Sequence, residues 1–177
     1  MAHIHTDPGQ HDLTVSAFII RTDLGEPAVL LHRHRILNKW LQFGGHVELN
    51  ENPWQAIAHE LAEESGYELK TLKLLQPPGS QLHLEKTVSH PLPAQLSTHP
   101  FGDLDHRHID IAYAFVADQP PQHEVGEGES QTLQAFTAKQ LTALGEDEVA
   151  PGVCEISLHI LEEYLPNWQQ VPTTDWR

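Results

Sequence analysis

The stretch that most constrains this chain runs from Gly45 to Tyr67: Gly-His-Val-Glu-Leu-Asn-Glu-Asn-Pro-Trp-Gln-Ala-Ile-Ala-His-Glu-Leu-Ala-Glu-Glu-Ser-Gly-Tyr. Its second half carries the start and stop signals of a helix. Asn52 is a good N-cap, Pro53 suits the first helical position, where its missing N–H costs nothing, and Gln55 completes a capping box. Trp54, Ile57, Ala58 and Leu61 recur at i, i+3, i+4 and i+7, an apolar stripe that must be buried. Gly66 supplies a left-handed stop. Glu60, Glu63 and Glu64 fall away from that stripe and, at i, i+3 and i+4, form one acidic patch. A fourth carboxylate, Glu51, sits in the loop that Gly44 and Gly45 lead into. A helix rich in glutamate taken alone reads as a solvated face. Here the glycine entry and Glu51 argue for convergence, and converging carboxylates repel one another unless a hard cation neutralises them. Mg²⁺ or Mn²⁺ takes such oxygen ligands. The glycines let the loop fold against the helix start, where a backbone carbonyl adds a further ligand.

This spacing resembles the Nudix box, Gly-x5-Glu-x7-Arg-Glu-U-x-Glu-Glu-x-Gly-U, with U aliphatic or bulky apolar. Residues 45–67 match every fixed position except two: His59 stands in place of Arg, and Tyr67 is the closing apolar residue. Phe43 stands where many relatives have Pro before the two glycines. The resemblance implies an α/β fold, the Nudix-type α/β/α sandwich with a mixed β-sheet. It implies metal-dependent hydrolysis of a phosphoanhydride bond in a nucleoside diphosphate linked to another moiety, such as a nucleoside triphosphate or an ADP-ribose-like compound. The implied cofactor is Mg²⁺ or Mn²⁺, held by Glu60, Glu63 and Glu64 with the Gly45 or Gly44 carbonyl nearby and Glu51 in support. Glu63, or a group outside the box such as Glu127, Glu129, His108 or Asp110, would take the proton of the attacking water. His59 joins the three glutamates as the orienting residue of the catalytic set. The competing class is a Nudix fold that binds nucleotides without cutting them. His59 favours that reading, because an imidazole does not copy the fork of Arg; the full set of glutamates favours hydrolysis.

Composition agrees with an enzyme of this size. At 177 residues and 39% apolar, one domain with a substantial core is expected over residues 1–177. The single Cys154 excludes an internal disulfide framework. The longest N-terminal apolar run, residues 15–20, is too short to span a membrane and follows Asp7 and Asp12 rather than a basic segment. A cytoplasmic protein without a membrane segment is expected. A formal charge of −15 argues against a general nucleic-acid surface. It leaves room for a small nucleotide substrate that arrives as a metal complex, bound by a monomer or a homodimer. The fourteen histidines are expected mostly on the surface.

Strands are expected at residues 14–21 and 27–32, joined by a turn containing Asp23 and Gly25, and at 39–43, delivering the chain to the glycines. After the box helix, residues 68–75 read as an edge strand ended by Pro77-Pro78-Gly79. Residues 77–100 form a proline-rich loop insertion with a strand near 94–98. Residues 108–117 make the clearest strand, a central one; a Pro/Gly/Glu loop over 118–130, a strand over 132–136 and a helix over 138–144 follow. Pro151-Gly152 opens a last helix, about 152–165, with Val153, Ile156, Ile160, Leu161 and Tyr164 in helical spacing.

Two further groups carry chemistry. His106-Arg-His108-Ile-Asp110 places His106, His108 and Asp110 on one strand face, with Ile109, Ile111, Tyr113 and Phe115 on the other. The isoleucines are expected to take the buried side, leaving His108 and Asp110 on the side of the box carboxylates. His-x-His-x-Asp also resembles the zinc-ligand motif of metallo-β-lactamase-like hydrolases, but Ile111 stands where that motif continues with His. A zinc site, a strand lining the substrate cleft and a plain polar strand face are the three readings. Arg33, Arg35 and Lys39 lie just before the box, where a phosphate or base would be met, and a charged surface loop is the alternative. Trp40 reads as core rather than as a stacking platform.

Overall fold

The computed structural model describes residues 6–7, 9–80, 82, 84–100 and 106–176. Among them the strands are β1 (His11–Arg21), β2 (Ala28–Arg33), β3 (Trp40–Leu41), β4 (Phe43–His46), β5 (Lys73–Gln76), β6 (Gln95–Pro100), β7 (Arg107–Ala117), β8 (Leu133–Thr137) and β9 (Gln169–Pro172). They join in one mixed sheet in the order β3-β2-β1-β7-β5-β9, with β4 also on β1, β6 on β7 and β8 on β2. The spine is the parallel pair β1 and β7, in register from His11 opposite Arg107 to Arg21 opposite Ala117. Both strands are rich in branched and aromatic residues, which suit a pleated surface covered on both faces.

Alternation along the spine sorts side chains onto two faces. Val15, Ala17 and Ile19 of β1 and Tyr113 and Phe115 of β7 pack in one core with Trp54, Ile57 and Leu61 of the box helix. Phe18 and Ile20 of β1 and Ala112, Ala114 and Val116 of β7 pack in the other, with Leu141, Val153 and Ile160 from the later helices. A mixed sheet with helices on each face is the α/β/α sandwich that the sequence resemblance implies.

The box helix, α1 (Pro53–Glu60), begins as the residues require. The Asn52 side chain accepts the N–H groups of Trp54 and Gln55 at 2.9 Å, and the Gln55 side chain accepts that of Asn52 at 2.9 Å. The helix continues as a π-helical turn over Leu61–Ser65, tightened where the Ser65 hydroxyl donates to the Leu61 carbonyl at 2.5 Å, and stops at Gly66 with φ 72°. The short α2 (Ala138–Thr142) is capped by Thr137 and Gln140 in the same reciprocal way. Then come α3 (Val153–His159), a second π-helical turn over Ile160–Tyr164, and α4 (Leu165–Asn167). No helix of the described residues is long and apolar enough to cross a membrane.

Three expectations need correction. The expected strand over 39–43 is two, β3 and β4, so that Gly44 and Gly45 lie in a paired strand rather than in a loop. The segment 68–75 is a 3₁₀ turn, Leu69–Thr71, followed by β5, which is an interior strand between β7 and β9. The sequence hides this because β9, Gln-Gln-Val-Pro, is too short and polar to announce itself. Most of the described histidines are at least partly exposed, as expected, while His32, His106 and His108 are buried. Finally, on β7 it is His108 and Asp110 that are buried, whereas Ile109 is 37% exposed. Asp110 accepts the hydroxyls of Thr14 and Ser16 of β1, and His108 lies opposite Asp12 in the register.

Trp54 is the main anchor of α1. It is 3% exposed and packs its ring at 5.4 Å from Tyr113 and 6.0 Å from Trp176. Trp54→Ala is expected to cost about 3–5 kcal/mol of stability, the range for truncating a large aromatic in a core. Reversible denaturant unfolding measures this, and a loss below about 1 kcal/mol would show that α1 does not depend on that anchor.

Candidate active site

The site begins with the pairing of β4 on β1, Gly45 opposite Val15 and Gly44 opposite Ser16. This register turns Gly45 toward α1. A side chain there would overlap the Glu60 carboxylate, and one at Gly44, whose φ is 139°, would overlap the Val15 carbonyl. The glycines therefore allow β4 and α1 to approach until the acidic patch touches backbone: the Gly44 N–H donates to Glu64 Oε2 at 2.8 Å.

Such closeness sets the charges. Burial pushes the Glu60 carboxyl up to about 7; His59 opposes it, and the neighbouring Glu63, Glu129 and Glu51 add to it by smaller amounts. Burial pushes Glu64 up to about 8, helped by Glu60, Glu129 and Glu63 and opposed by the Gly44 hydrogen bond. Glu63 is exposed and points elsewhere: its Oε1 lies 3.1 Å from His59 Nε2. His59 Nδ1 lies 4.0 Å from Glu51 Oε2, while Glu51 Oε1 accepts the Glu48 N–H at 2.9 Å. His59 thus lies between two box carboxylates, close to Glu63 and within 4.0 Å of Glu51. Two half-buried carboxylates forced together beside glycine backbone are a donor set that suits a hard divalent cation. The residues present fit the metal that the box implies, with Glu51 and Glu63 lying alongside the buried pair.

The Pro/Gly/Glu loop closes over the end of the box helix. Gly126 N–H donates to the Glu63 carbonyl at 2.7 Å, and the N–H groups of Gln122 and His123 donate to the Gly66 carbonyl at 3.1 Å. Beside this junction lies a cleft of about 550 Å³, lined by Arg33, His34, Arg35, Glu127, Glu129 and Ser130 among others. Arg33 and Arg35 form the basic wall. Arg35 donates to the Gly128 carbonyl, and Arg33 donates to Asn38 Oδ1 at 3.1 Å and the Glu148 carbonyl at 3.2 Å. Lys39 donates instead to the Glu146 carbonyl at 3.2 Å. Trp40 is core, edge-on to Phe136 at 4.9 Å.

His108 and Asp110 do not join this site. They share the sheet face opposite to α1, a consequence of β7 alternating without a bulge while Tyr113 and Phe115 pack under Trp54. Asp110 accepts the hydroxyls of Thr14 at 2.8 Å and Ser16 at 2.9 Å, and burial pushes its carboxyl up. Burial, then the neighbouring His46, His99 and His106, pushes His108 down to about 4. Glu129 and the loop that carries it were legible only as outside candidates for a base, because nothing local in the sequence says where a loop of Pro, Gly and Glu will dock.

The chain matches the family model described as NUDIX domain over residues 10–153. No curated protein gave a match. Among solved structures it is similar to a hydrolase of the NUDIX family from Clostridium perfringens, with 24% identity, 86% of this chain and 97% of that chain covered, and a TM-score of 0.67. A C. elegans Ap4A hydrolase binary complex aligns at 15% identity, 88% and 98% coverage and a TM-score of 0.64. The NUDIX domain of Shewanella oneidensis NrtR complexed with ADP ribose aligns at 16%, 86% and 90%, with a TM-score of 0.57. A sandwich of this topology carrying a complete set of box carboxylates defines a hydrolase class. The chain belongs to the Nudix family.

The raised carboxyls make a prediction for the metal-free chain. Glu60 and Glu64 ionise far above their ordinary 4.5 when folded, so the folded state holds their protons more tightly than the unfolded state. The stability they contribute is complete below that value and is lost as pH rises through 7 and 8. In chelator the melting temperature is expected to fall between about pH 5 and pH 9, and Glu64→Gln to flatten that slope. Equal slopes in wild type and variant would show that Glu64 is solvated.

Proposed function

We propose that this chain hydrolyses a phosphoanhydride bond in a nucleoside diphosphate linked to another moiety, with Mg²⁺ or Mn²⁺ as cofactor. The observation that carries the reading is the burial of Glu60 and Glu64 against Gly44 and Gly45, with Glu51, His59 and Glu63 alongside. Burial disfavours the ionised forms of this pair in the metal-free state, and a divalent cation favours them.

Within this reading Glu60, Glu63 and Glu64 hold the cofactor, with the Gly45 carbonyl nearby and Glu51 in support. When bound, the metal neutralises the phosphoanhydride oxygens and lowers the pKa of water. The remaining work belongs to the chain. Glu63, exposed and oriented by His59 at 3.1 Å, receives the proton of the attacking water; Glu129, close enough to raise both buried carboxyls, is the candidate from outside the box. Arg33 and Arg35 on the wall of the cleft meet the negative charge of the phosphates. Lys39 donates to the Glu146 carbonyl at 3.2 Å and lies outside the lining of this cleft. The two sheet faces closed by helices support reading the chain as one domain. Neighbours described with Ap4A and with ADP ribose support a substrate containing a nucleoside diphosphate unit.

Binding without turnover is the second reading, and His59 in place of Arg is the observation behind it. The placement of His59 near both Glu51 and Glu63 weighs against it, since the imidazole lies between the pair that an orienting cation would hold.

Phosphate release from a panel of nucleotides with Mg²⁺ or Mn²⁺ tests the proposal. Glu63→Gln and Glu64→Gln should each lower kcat by about 100-fold or more, and near wild-type turnover in both would defeat the assignment. His59→Arg should keep or raise activity and His59→Ala lower it; identical rates and pH profiles in all three proteins would make His59 a bystander.

A further inference from the structure

On the sheet face away from α1, at the end that the C-terminal helices leave uncovered, side chains from three strands converge. Asp12 lies on β1, directly opposite His108 on β7 in the parallel register. His46 ends β4, paired with Thr14 two residues along β1, and His106 immediately precedes β7. One ligand nitrogen from each of His46, His106 and His108 lies within 4.8 Å of the others. Asp12 Oδ2 is 3.2 Å from His106 Nε2 and 3.7 Å from His46 Nε2. His106, His108 and Asp12 are buried, and His46 is nearly so.

We propose that Asp12, His46, His106 and His108 form a second metal centre, distinct from the box, that takes Zn²⁺. Zinc bonds imidazole nitrogen at about 2.0–2.1 Å, which sets ligand atoms of a tetrahedron about 3.4 Å apart. The Asp12 distances to His106 and His46 bracket that spacing, and the three nitrogens lie within 4.8 Å of one another. The donor set selects the ion: three imidazoles and one carboxylate suit a borderline cation, whereas Mg²⁺ and Ca²⁺ prefer all-oxygen sites such as the box. His106 has an outer partner of the kind that orients a ligating imidazole. The Thr6 hydroxyl lies 3.4 Å from His106 Nδ1, which leaves Nε2 to face Asp12 and the ion. Asp110 is not a ligand, since Thr14 and Ser16 hold its carboxylate.

Four protein ligands close the coordination sphere, so the ion is structural. It ties β4 to β1 and β7 at His46, the residue after Gly45, and so fixes from behind the strand against which Glu60 and Glu64 pack. These four are positioning residues for the box. The site is independent of the function proposed above and stands or falls separately from it.

The test uses the full chain made without a histidine tag and purified without chelator. Elemental analysis is expected to find about one zinc per chain, retained when Glu60 and Glu64 are both changed to Gln, and lost in His46→Ala and in His108→Gln. Replacing the zinc with Co²⁺ should give the strong visible absorption of a four-coordinate ion in the wild type and in the Glu60→Gln/Glu64→Gln double variant. Removing the zinc with dipicolinate should lower the melting temperature by more than about 5 °C. A wild-type protein that carries no zinc and gives no four-coordinate Co²⁺ spectrum overturns the proposal, whatever the variants do. Zinc retained equally by both histidine variants also overturns it, because the ion would then sit elsewhere. Loss of zinc only in the glutamate double variant would assign it to the box and likewise defeat a second centre. A chain inactive on every nucleotide but holding zinc at these histidines would sink the hydrolase reading and leave the metal centre standing.

Discussion

The parallel pairing of β1 with β7 is the constraint on which the rest of this molecule depends. Eleven residues of each strand lie in register, and a slip of one position would exchange the faces of one strand against the other. The observed register places Asp12 beside His108 and Thr14 beside Asp110, and it sets Tyr113 and Phe115 on the side where Trp54 arrives. One ladder of backbone hydrogen bonds therefore decides which side chains meet the box helix and which meet the histidines. Parallel strands need a long connection to return, and the box helix, β5 and β6 all lie within it.

Each face then solves a different electrostatic problem. Toward α1, apolar burial of Trp54, Ile57 and Leu61 presses the helix onto the sheet, and carboxylates on its flank are carried into contact with the glycines of β4. The energy of packing thus holds Glu60 and Glu64 where burial disfavours their ionised forms. On the opposite face Thr14 and Ser16 hold Asp110 by hydrogen bonds, and Asp12 lies 3.2 Å from His106 and 3.7 Å from His46. β4 touches both problems at adjacent residues, with Gly45 facing Glu60 and His46 facing Asp12. The two sites share that strand and little else.

His59 shows how a local substitution is absorbed. The family pattern has Arg there, whose reach and fork exceed those of imidazole. Here the shorter side chain lies 3.1 Å from Glu63 and 4.0 Å from Glu51. Phe43, standing in place of the Pro of many relatives, points into the core beside Ala17 and Ile19, and permits the N–H pairing of β4 with β1 that Pro would forbid.

Local signals in the chain were enough for much of this. The box helix, its caps, its apolar stripe and its acidic flank could all be read from residues 45–67, because capping and periodicity act within a few residues of one another. The family, and with it the sandwich, followed from that spacing, and β7 and the last helix were legible from continuous patterning. Decisions made between distant segments were not. Whether the isoleucines or the histidines of β7 face inward depends on what β1 presents opposite them, ninety-six positions away for Asp110 and Thr14. An alternating strand carries two self-consistent faces, and its own sequence does not say which will be covered. β5 became an interior strand only because β9 returned to pair with it, and Glu129 neared the box only because its loop docked on Gly66 and Glu63. The sequence alone determined the helix, its charge and its family. The tertiary structure decided which residues meet, because burial and register are properties of pairs of segments and exist only once the sheet has formed.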